Sequence, residues 1–242
     1  MINKNSPIPI YYQIEEYIKK KIIAEELMPG DALSSEREFA EQFNISRMTV
    51  RQAINNMVND GLLFRQKGRG TFVAEQKIEQ DLSSLTSFSE DMRKRNQTPS
   101  NQLISIQLIN HQPAISEKLR VGSNEPIYEI KRLRLADDEP IALETTYTPE
   151  KIVGHIDEKQ AEQSFYTYIE EQLQLDISYG LQTIEASIAN KDEMKYLKVK
   201  KDDPILLMQR TSYLNDPHQT PIEYVKSAYR ADKYKFNMKM KR

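Results

Sequence analysis

The stretch "LRVGSNEPIYEIKR" (119–132) returns without a gap as "LKVKKDDPILLMQR" (197–210), offset by 78 residues. Leu, Val, Pro, Ile and Arg recur in register, and the acid before the proline is kept in kind. Each copy runs on to a turn and a second strand that opens with "PI", at Pro140 and at Pro221. Such a repeat restricts the fold, because one helix–strand–strand unit cannot bury its apolar face alone. Two units sharing one sheet about a pseudo-twofold axis can.

Ahead of the repeat the rhythm is different. Ile10, Ile14, Tyr17, Ile18 and Ile22 recur at three- and four-residue spacing, which predicts an amphipathic helix broken by "MPGD". Ser35 stands three residues before Glu38, the pattern of a capping box opening a second helix. A third helix is predicted from Ser46 to Gly61, with Val50, Ala53, Ile54 and Met57 as its buried stripe. The runs "LLF" and "TFV" then flank "RQKGRG". In a chain with only 7 glycines, Gly68 and Gly70 there mark a hairpin tip. Two short helices joined by a tight "NI" turn, then a hairpin, predict a winged helix-turn-helix over 1–74. The polar stretch 75–84 reads as a linker and 85–242 as a second domain.

A net charge of −2 argues against nucleic acid only if its distribution is ignored. From Ser46 to Gly70, Arg47, Arg51, Arg65, Lys67 and Arg69 stand against the single acid Asp60. Arg47 and Arg51 lie four residues apart, hence on one helical face, which Asn55 continues and Thr49 and Gln52 border. Arg suits bidentate contact with guanine and Gln with adenine, while Thr or backbone N–H groups hold phosphate. At the tip, Gly68 and Gly70 let backbone approach DNA closely, and Lys67 and Arg69 reach phosphates or groove edges. A solvated helix face and an ordinary tight turn would explain each feature singly. The two in succession point to DNA.

The absence of Cys removes disulfides and thiolate metal sites. No apolar run approaches the ~20 residues of a membrane span, and the N-terminus lacks the basic-then-apolar order of a signal peptide. A cytoplasmic protein without metal or cofactor is the expectation.

In the second domain Tyr128, Ile130, Arg132 and Arg134 share one strand parity. Two arginines prolonging an apolar face call for an anion or an acidic partner; a surface pair bridged to Asp or Glu is the alternative. Ser164 is placed to cap a helix starting at Phe165. Free N–H groups there, with the Ser164 and Tyr166 hydroxyls, would suit a phosphate, though capping alone explains Ser164. Glu223, Val225, Ser227 and Tyr229 share a face of the last long strand, and Glu144 belongs to the paired strand of the first unit. Such groups suit sugar hydroxyls or an amide, or simply face outward.

The segment "LSSEREFAEQFNISRMTVRQAINNMVNDGLLFRQKGRGTFV" resembles the DNA-binding domain of GntR-type bacterial transcription regulators. That resemblance implies Arg37, Arg47, Thr49, Arg51 and Gly68 as principal DNA contacts, with Ser35, Ser46, Gln52, Lys67, Arg69 and Gly70 in support. Ser34 departs from the family pattern, which has proline there. From about Leu85 to Phe236 the chain resembles the effector-binding (UTRA) domain of the HutC subfamily, through "LTSFSEDM", "RLRLADDEPIALETTY", "SFYTYIE" and "PIEYVKSAYRADKYKF". The implied fold is α+β, a winged helix-turn-helix followed by a chorismate-lyase-like ligand domain, assembled as a homodimer. The implied effector, from the members that govern N-acetylglucosamine use, is glucosamine-6-phosphate or N-acetylglucosamine-6-phosphate. Thr86, Ser87, Phe88, Arg132, Arg134, Ser164 and Tyr166 would hold its phosphate; Glu144, Glu223 and Tyr229 would address its sugar.

The function that follows is a repressor on double-stranded, pseudo-palindromic operator DNA, released by the phosphorylated amino sugar. An enzyme is the competing class. Yet the three histidines, His111, His155 and His218, stand in polar, loop-like contexts unsuited to general bases. An architectural DNA-binding protein whose second domain only dimerises is a third class; it expects no soluble effector, and an inward Arg132/Arg134 pair speaks against it.

Overall fold

A computed structural model describes residues 2–75, 77–110 and 112–240, so His111 lies outside the described residues. The chain divides into two compact units, one ending at Lys77 and the other beginning at Ile78.

In the first unit, helix α1 (Ile10–Ile23) buries Ile14 and Ile18. Helix α2 (Glu36–Phe43) opens with the predicted capping box: the Glu38 amide donates to the Ser35 hydroxyl at 3.2 Å, and the Ser35 amide donates to the Glu38 carboxylate at 2.7 Å. Asn44 ends it in the left-handed region, with φ 50°, and so turns the chain sharply. Helix α3 (Arg47–Asn59) is capped by Ser46 and buries Val50, Ala53, Ile54 and Met57, the stripe expected. These pack with Phe39, Leu63 and Val73 into one core. Strands β1 (Leu63–Gln66) and β2 (Gly70–Val73) form the antiparallel wing, and Ala32 bridges to Phe72 on β2.

The second unit opens with strand β3 (Ile78–Asp81) and helix α4 (Phe88–Lys94). Strand β4 (Pro99–Ile109), helix α5 (Pro113–Leu119) and strands β5 (Ile127–Ala136) and β6 (Glu139–Pro149) follow. Three short helices, α6 (Glu150–Val153), α7 (Glu158–Glu162) and α8 (Phe165–Thr167), lead into a π-helical turn at Tyr168–Gln172. The second half repeats the first: strand β7 (Ile177–Ile188), helix α9 (Lys191–Leu197), strands β8 (Pro204–Leu214) and β9 (Pro221–Arg230), then a short β10 (Tyr234–Asn237).

The large sheet runs β4–β5–β6–β9–β8–β7, antiparallel throughout. This order is symmetric about its central β6–β9 pair and maps α5–β5–β6 onto α9–β8–β9. The internal repeat is therefore a structural repeat.

Both faces of the sheet are covered. On one, Leu133, Leu143, Ile205 and Ala228 pack with Leu197 of α9. On the other, Tyr128 and Ile130 lie with Phe165, Tyr166 and Ile169, while Ala142, Met208 and Tyr229 lie with Phe88 and Met92 of α4. The polar site lies on this second face, on strands that carry both clusters.

Part of the expected linker, Ile78–Asp81, is a strand. This β3 pairs in parallel with β10, Tyr234 opposite Ile78. Among the described residues, no helix is long and apolar enough to cross a membrane.

Candidate DNA-reading face and effector site

Helix α3 presents Arg47, Arg51 and Gln52 to solvent, with Thr49 half-buried at their border. Arg51 Nε donates to Glu36 Oε2 at 2.9 Å, and Arg65 reaches the other oxygen of Glu36 at 3.5 Å. Arg37 pairs with Glu41 at 2.8 Å. These exposed pairs contribute little energy, but they orient three cations that a phosphate can recruit. Ser35 and Ser46 both act as N-caps; the Ser46 hydroxyl accepts the Thr49 amide at 3.1 Å. At the wing tip Lys67, Gly68, Arg69 and Gly70 are all exposed. Gly68 has φ +77° and Gly70 φ +117°, so the turn itself requires both glycines. The Arg69 guanidinium lies 5.9 Å from the Phe72 ring centre, at the base of the tip.

The second site is built by the sheet. Arg132 and Arg134 project from β5 and are buried, so of the two readings of their shared parity the inward one holds. Opposite Arg132 on β6 stands Glu144. Its Oε1 accepts from Arg132 at 2.6 Å and from Arg134 at 3.2 Å. An acidic partner does meet the arginines, and it meets them inside the protein. Arg132 also donates to the carbonyls of Ala161 and Gln163, just ahead of Ser164. Arg134 lies 4.7 Å from the Phe88 ring centre.

Across the central strands, Glu223 on β9 accepts from Ser212 at 2.8 Å, and Ser212 shares a hydrogen bond with the Tyr166 hydroxyl at 3.0 Å. Arg210 on β8 reaches Glu223 only at 3.7 Å. Ser87 and Phe88 at the start of α4, with Ser164, Phe165 and Val225, complete the lining of one cavity. Its free volume is about 20 Å³, room for about one water molecule. The site is closed down on its own ion pairs.

Electrostatics separates the two carboxylates. Burial pushes Glu144 up, but Arg134 and Arg132 outweigh it and hold the group down at about 2. Burial also pushes Glu223 up, and there the more distant Arg210 does not reverse it. Three buried guanidiniums thus face two carboxylates, an excess of at least one positive charge. The Nε atoms of Arg132, Arg134 and Arg210 are all buried without a hydrogen-bond partner among the described residues.

Of the ten residues read from the sequence, the structure gathers Ser87, Phe88, Arg132, Arg134, Glu144, Ser164, Tyr166 and Glu223 around the cavity. Thr86 and Tyr229 are not in its lining. The Thr86 hydroxyl turns away to donate to Asp91 at 2.8 Å, and the Tyr229 ring packs on Tyr234 at 4.5 Å. Ser164 corrects the capping expectation: its side chain makes no cap hydrogen bond, because α8 is a single turn that passes at once into the π turn. Arg210 was missed, although the repeat sets it in register with Arg132. His155 and His218 are exposed and lie outside the cavity lining.

The UTRA domain model matches residues 94–235, and the model of bacterial regulatory proteins of the gntR family matches residues 10–73. The chain belongs to the GntR family. It is 48% identical over 235 residues to the HTH-type transcriptional repressor NagR of Bacillus subtilis, covering 97% of this chain and 96% of that one. The mannosyl-D-glycerate transport/metabolism system repressor MngR of Escherichia coli is 30% identical over 95% of both chains. The crystal structure of PhnF from Mycobacterium smegmatis matches with a TM-score of 0.75 and 27% identity, over 94% of this chain and 99% of that one. This GntR regulator is thus a ligand-responsive transcription repressor with an N-terminal winged helix-turn-helix and a C-terminal UTRA domain, and not an enzyme. Its macromolecular partner is operator DNA.

Proposed function

We propose that this GntR regulator is a homodimeric repressor of amino-sugar utilisation genes, released from a pseudo-palindromic operator by glucosamine-6-phosphate or N-acetylglucosamine-6-phosphate. Two copies of α3 would enter successive major grooves, with Arg47, Arg51, Thr49 and Gln52 at the bases and phosphates and the Lys67–Gly70 tip alongside. The observation that carries the effector reading is the pair of buried guanidiniums, Arg132 and Arg134, set against the single carboxylate of Glu144, with both Nε–H donors unpartnered among the described residues. A phosphate dianion supplies the missing charge and acceptors. Ser164, whose hydroxyl is not spent on capping, and Ser87 stand at the same cavity. Glu144 and Glu223 then accept from ring hydroxyls or an amine, and the 48% identity to NagR supports the amino-sugar class.

A hexose phosphate needs far more space than the closed cavity offers, so its binding opens the segment around Ser87. A ligand that prefers the opened form shifts the protein away from the arrangement that holds the operator.

Thermal unfolding tests this without knowledge of the operator. A ligand at 100 times its Kd adds roughly 2.7 kcal/mol, which raises Tm by several degrees for a protein of this size. The expected result is a rise with either 6-phosphate and none with free N-acetylglucosamine. A flat response to both 6-phosphates would discard the sugar, leave the regulator reading intact, and point to a different small metabolite.

A further inference from the structure

Arg210 has no part in the phosphate site just described, yet it occupies in the second repeat the place that Arg132 occupies in the first. The two are satisfied very differently. Arg132 donates to two backbone carbonyls, Glu144 and Thr146. Arg210 approaches Glu223 at 3.7 Å, too far for a hydrogen bond, while Ser212 donates to the same carboxylate oxygen at 2.8 Å. Its Nε is buried and has no hydrogen-bond partner among the described residues, and its guanidinium lies 5.5 Å from the centre of the Tyr166 ring. A buried guanidinium with unmet donors is costly where it serves only structure.

Its position explains the cost. Arg210 lines the arginine cavity and also a second cleft of about 400 Å³ beside it, formed by the Leu82–Leu85 segment and by Ser178, Gly180 and Gln182 of β7. The wall there is tight. A Cβ on Gly180 would lie 3.1 Å from Cδ of Arg210 and 3.2 Å from a methyl of Leu85. In the sheet, β8 stands three strand spacings from β5, about 14 Å. From strands that far apart, Arg132 and Arg134 on one flank and Arg210 on the other reach the same cavity, which suits a ligand with its anion at one end.

We propose that Arg210 is the specificity-determining arginine of the effector site. It donates to oxygens of the polyhydroxylated ring at the end remote from the phosphate, and the ring occupies space continuous with the outer cleft. The inference rests on the phosphosugar reading above, with Arg132 and Arg134 as the phosphate pole.

The test compares wild type with Arg210→Lys, which keeps the charge beside Glu223 but loses the planar fork. Titrations of the full-length protein use glucosamine-6-phosphate, glycerol 3-phosphate and inorganic phosphate. Arg210→Lys is expected to weaken glucosamine-6-phosphate at least tenfold and to leave inorganic phosphate and glycerol 3-phosphate within about twofold. Equal glucosamine-6-phosphate affinity in the two proteins overturns the proposal. So does a proportionate loss of all three ligands, which would assign Arg210 to the phosphate pole. Gly180→Ala, which displaces the Arg210 stem without changing charge, should give the same selective loss and decides the matter if Arg210→Lys fails to fold. Wild type alone reports on the underlying reading: if it ignores glucosamine-6-phosphate here and N-acetylglucosamine-6-phosphate in the unfolding assay, that reading fails and this inference falls with it.

Discussion

Asp91 accepts a 2.8 Å hydrogen bond from the side-chain amide of Gln80, tying helix α4 to strand β3. The other carboxylate oxygen takes the Thr86 hydroxyl at 2.8 Å, and the Tyr234 hydroxyl donates to Gln80 at 3.3 Å. One buried acid therefore holds the Thr86-Ser87-Phe88 loop, the β3 strand and, through Gln80, β10. Hydrogen bonds to a charged group contribute about 1.5–3 kcal/mol each. Asp91→Ala should loosen this corner: the amides of Ile78 and Leu82, bonded to Lys233 and Asn237, should exchange at least tenfold faster. Amides of the central strands should not change. Uniform acceleration across the sheet would show that Asp91 supports the whole unit.

On the reading face, Arg47→Ala and Arg51→Ala should each abolish or severely weaken operator binding while preserving the thermal shift with effector. Both side chains are exposed, so the fold is not at risk. For a residue that neutralises one phosphate, the slope of log K against log salt should fall by about 0.9; a base contact would instead relax sequence preference. Loss of effector response along with operator binding would indicate misfolding.

These two sites were not equally legible in the sequence. The phase of α3 is local, so Val50 to Met57 as core and Arg47 and Arg51 as surface followed from spacing alone. The Ser35–Glu38 box was readable for the same reason. Arg132 and Arg134 were recognisable from strand parity. Their partner Glu144 comes from the register of a neighbouring strand, which no local pattern specifies. Ser164 was misread because a single turn followed by a π turn looks like any helix start. β3 was invisible, since "IEQD" becomes a strand only by pairing with a segment at the other end of the domain. Arg210 was signalled by the repeat, but nothing in the repeat says that both copies face one cavity.

The wing tip separates backbone demand from DNA contact. Gly68 has φ +77°, and a Cβ built there meets no atom within 4 Å. Gly68→Ala thus incurs only the left-handed backbone penalty, about 1–2 kcal/mol, confined to the hairpin. Chemical unfolding should detect that loss in the first unit, and operator affinity should fall with it. Unchanged operator affinity beside the measured destabilisation would remove the tip from the DNA interface.

Glu144 offers the most direct examination of the anion site. Its carboxylate is the present counter-charge of Arg132 and Arg134, and together they hold it at about 2 against an ordinary value of 4.5. A folded-state value below the unfolded one means stability that is complete above about pH 4.5 and is lost as pH falls toward 2. Glu144→Gln should flatten that acid limb. It also leaves two buried guanidiniums without a full counter-charge, and removing one partner of such a pair costs about 3–5 kcal/mol. The variant's Tm in phosphate-free buffer should fall by about ten degrees. Inorganic phosphate should then restore a larger part of Tm in the variant than it adds to wild type, because the added anion supplies the charge that Glu144 supplied. An identical phosphate response in both proteins would mean that anions bind elsewhere, and the phosphate pole at Arg132 and Arg134 would have to be abandoned.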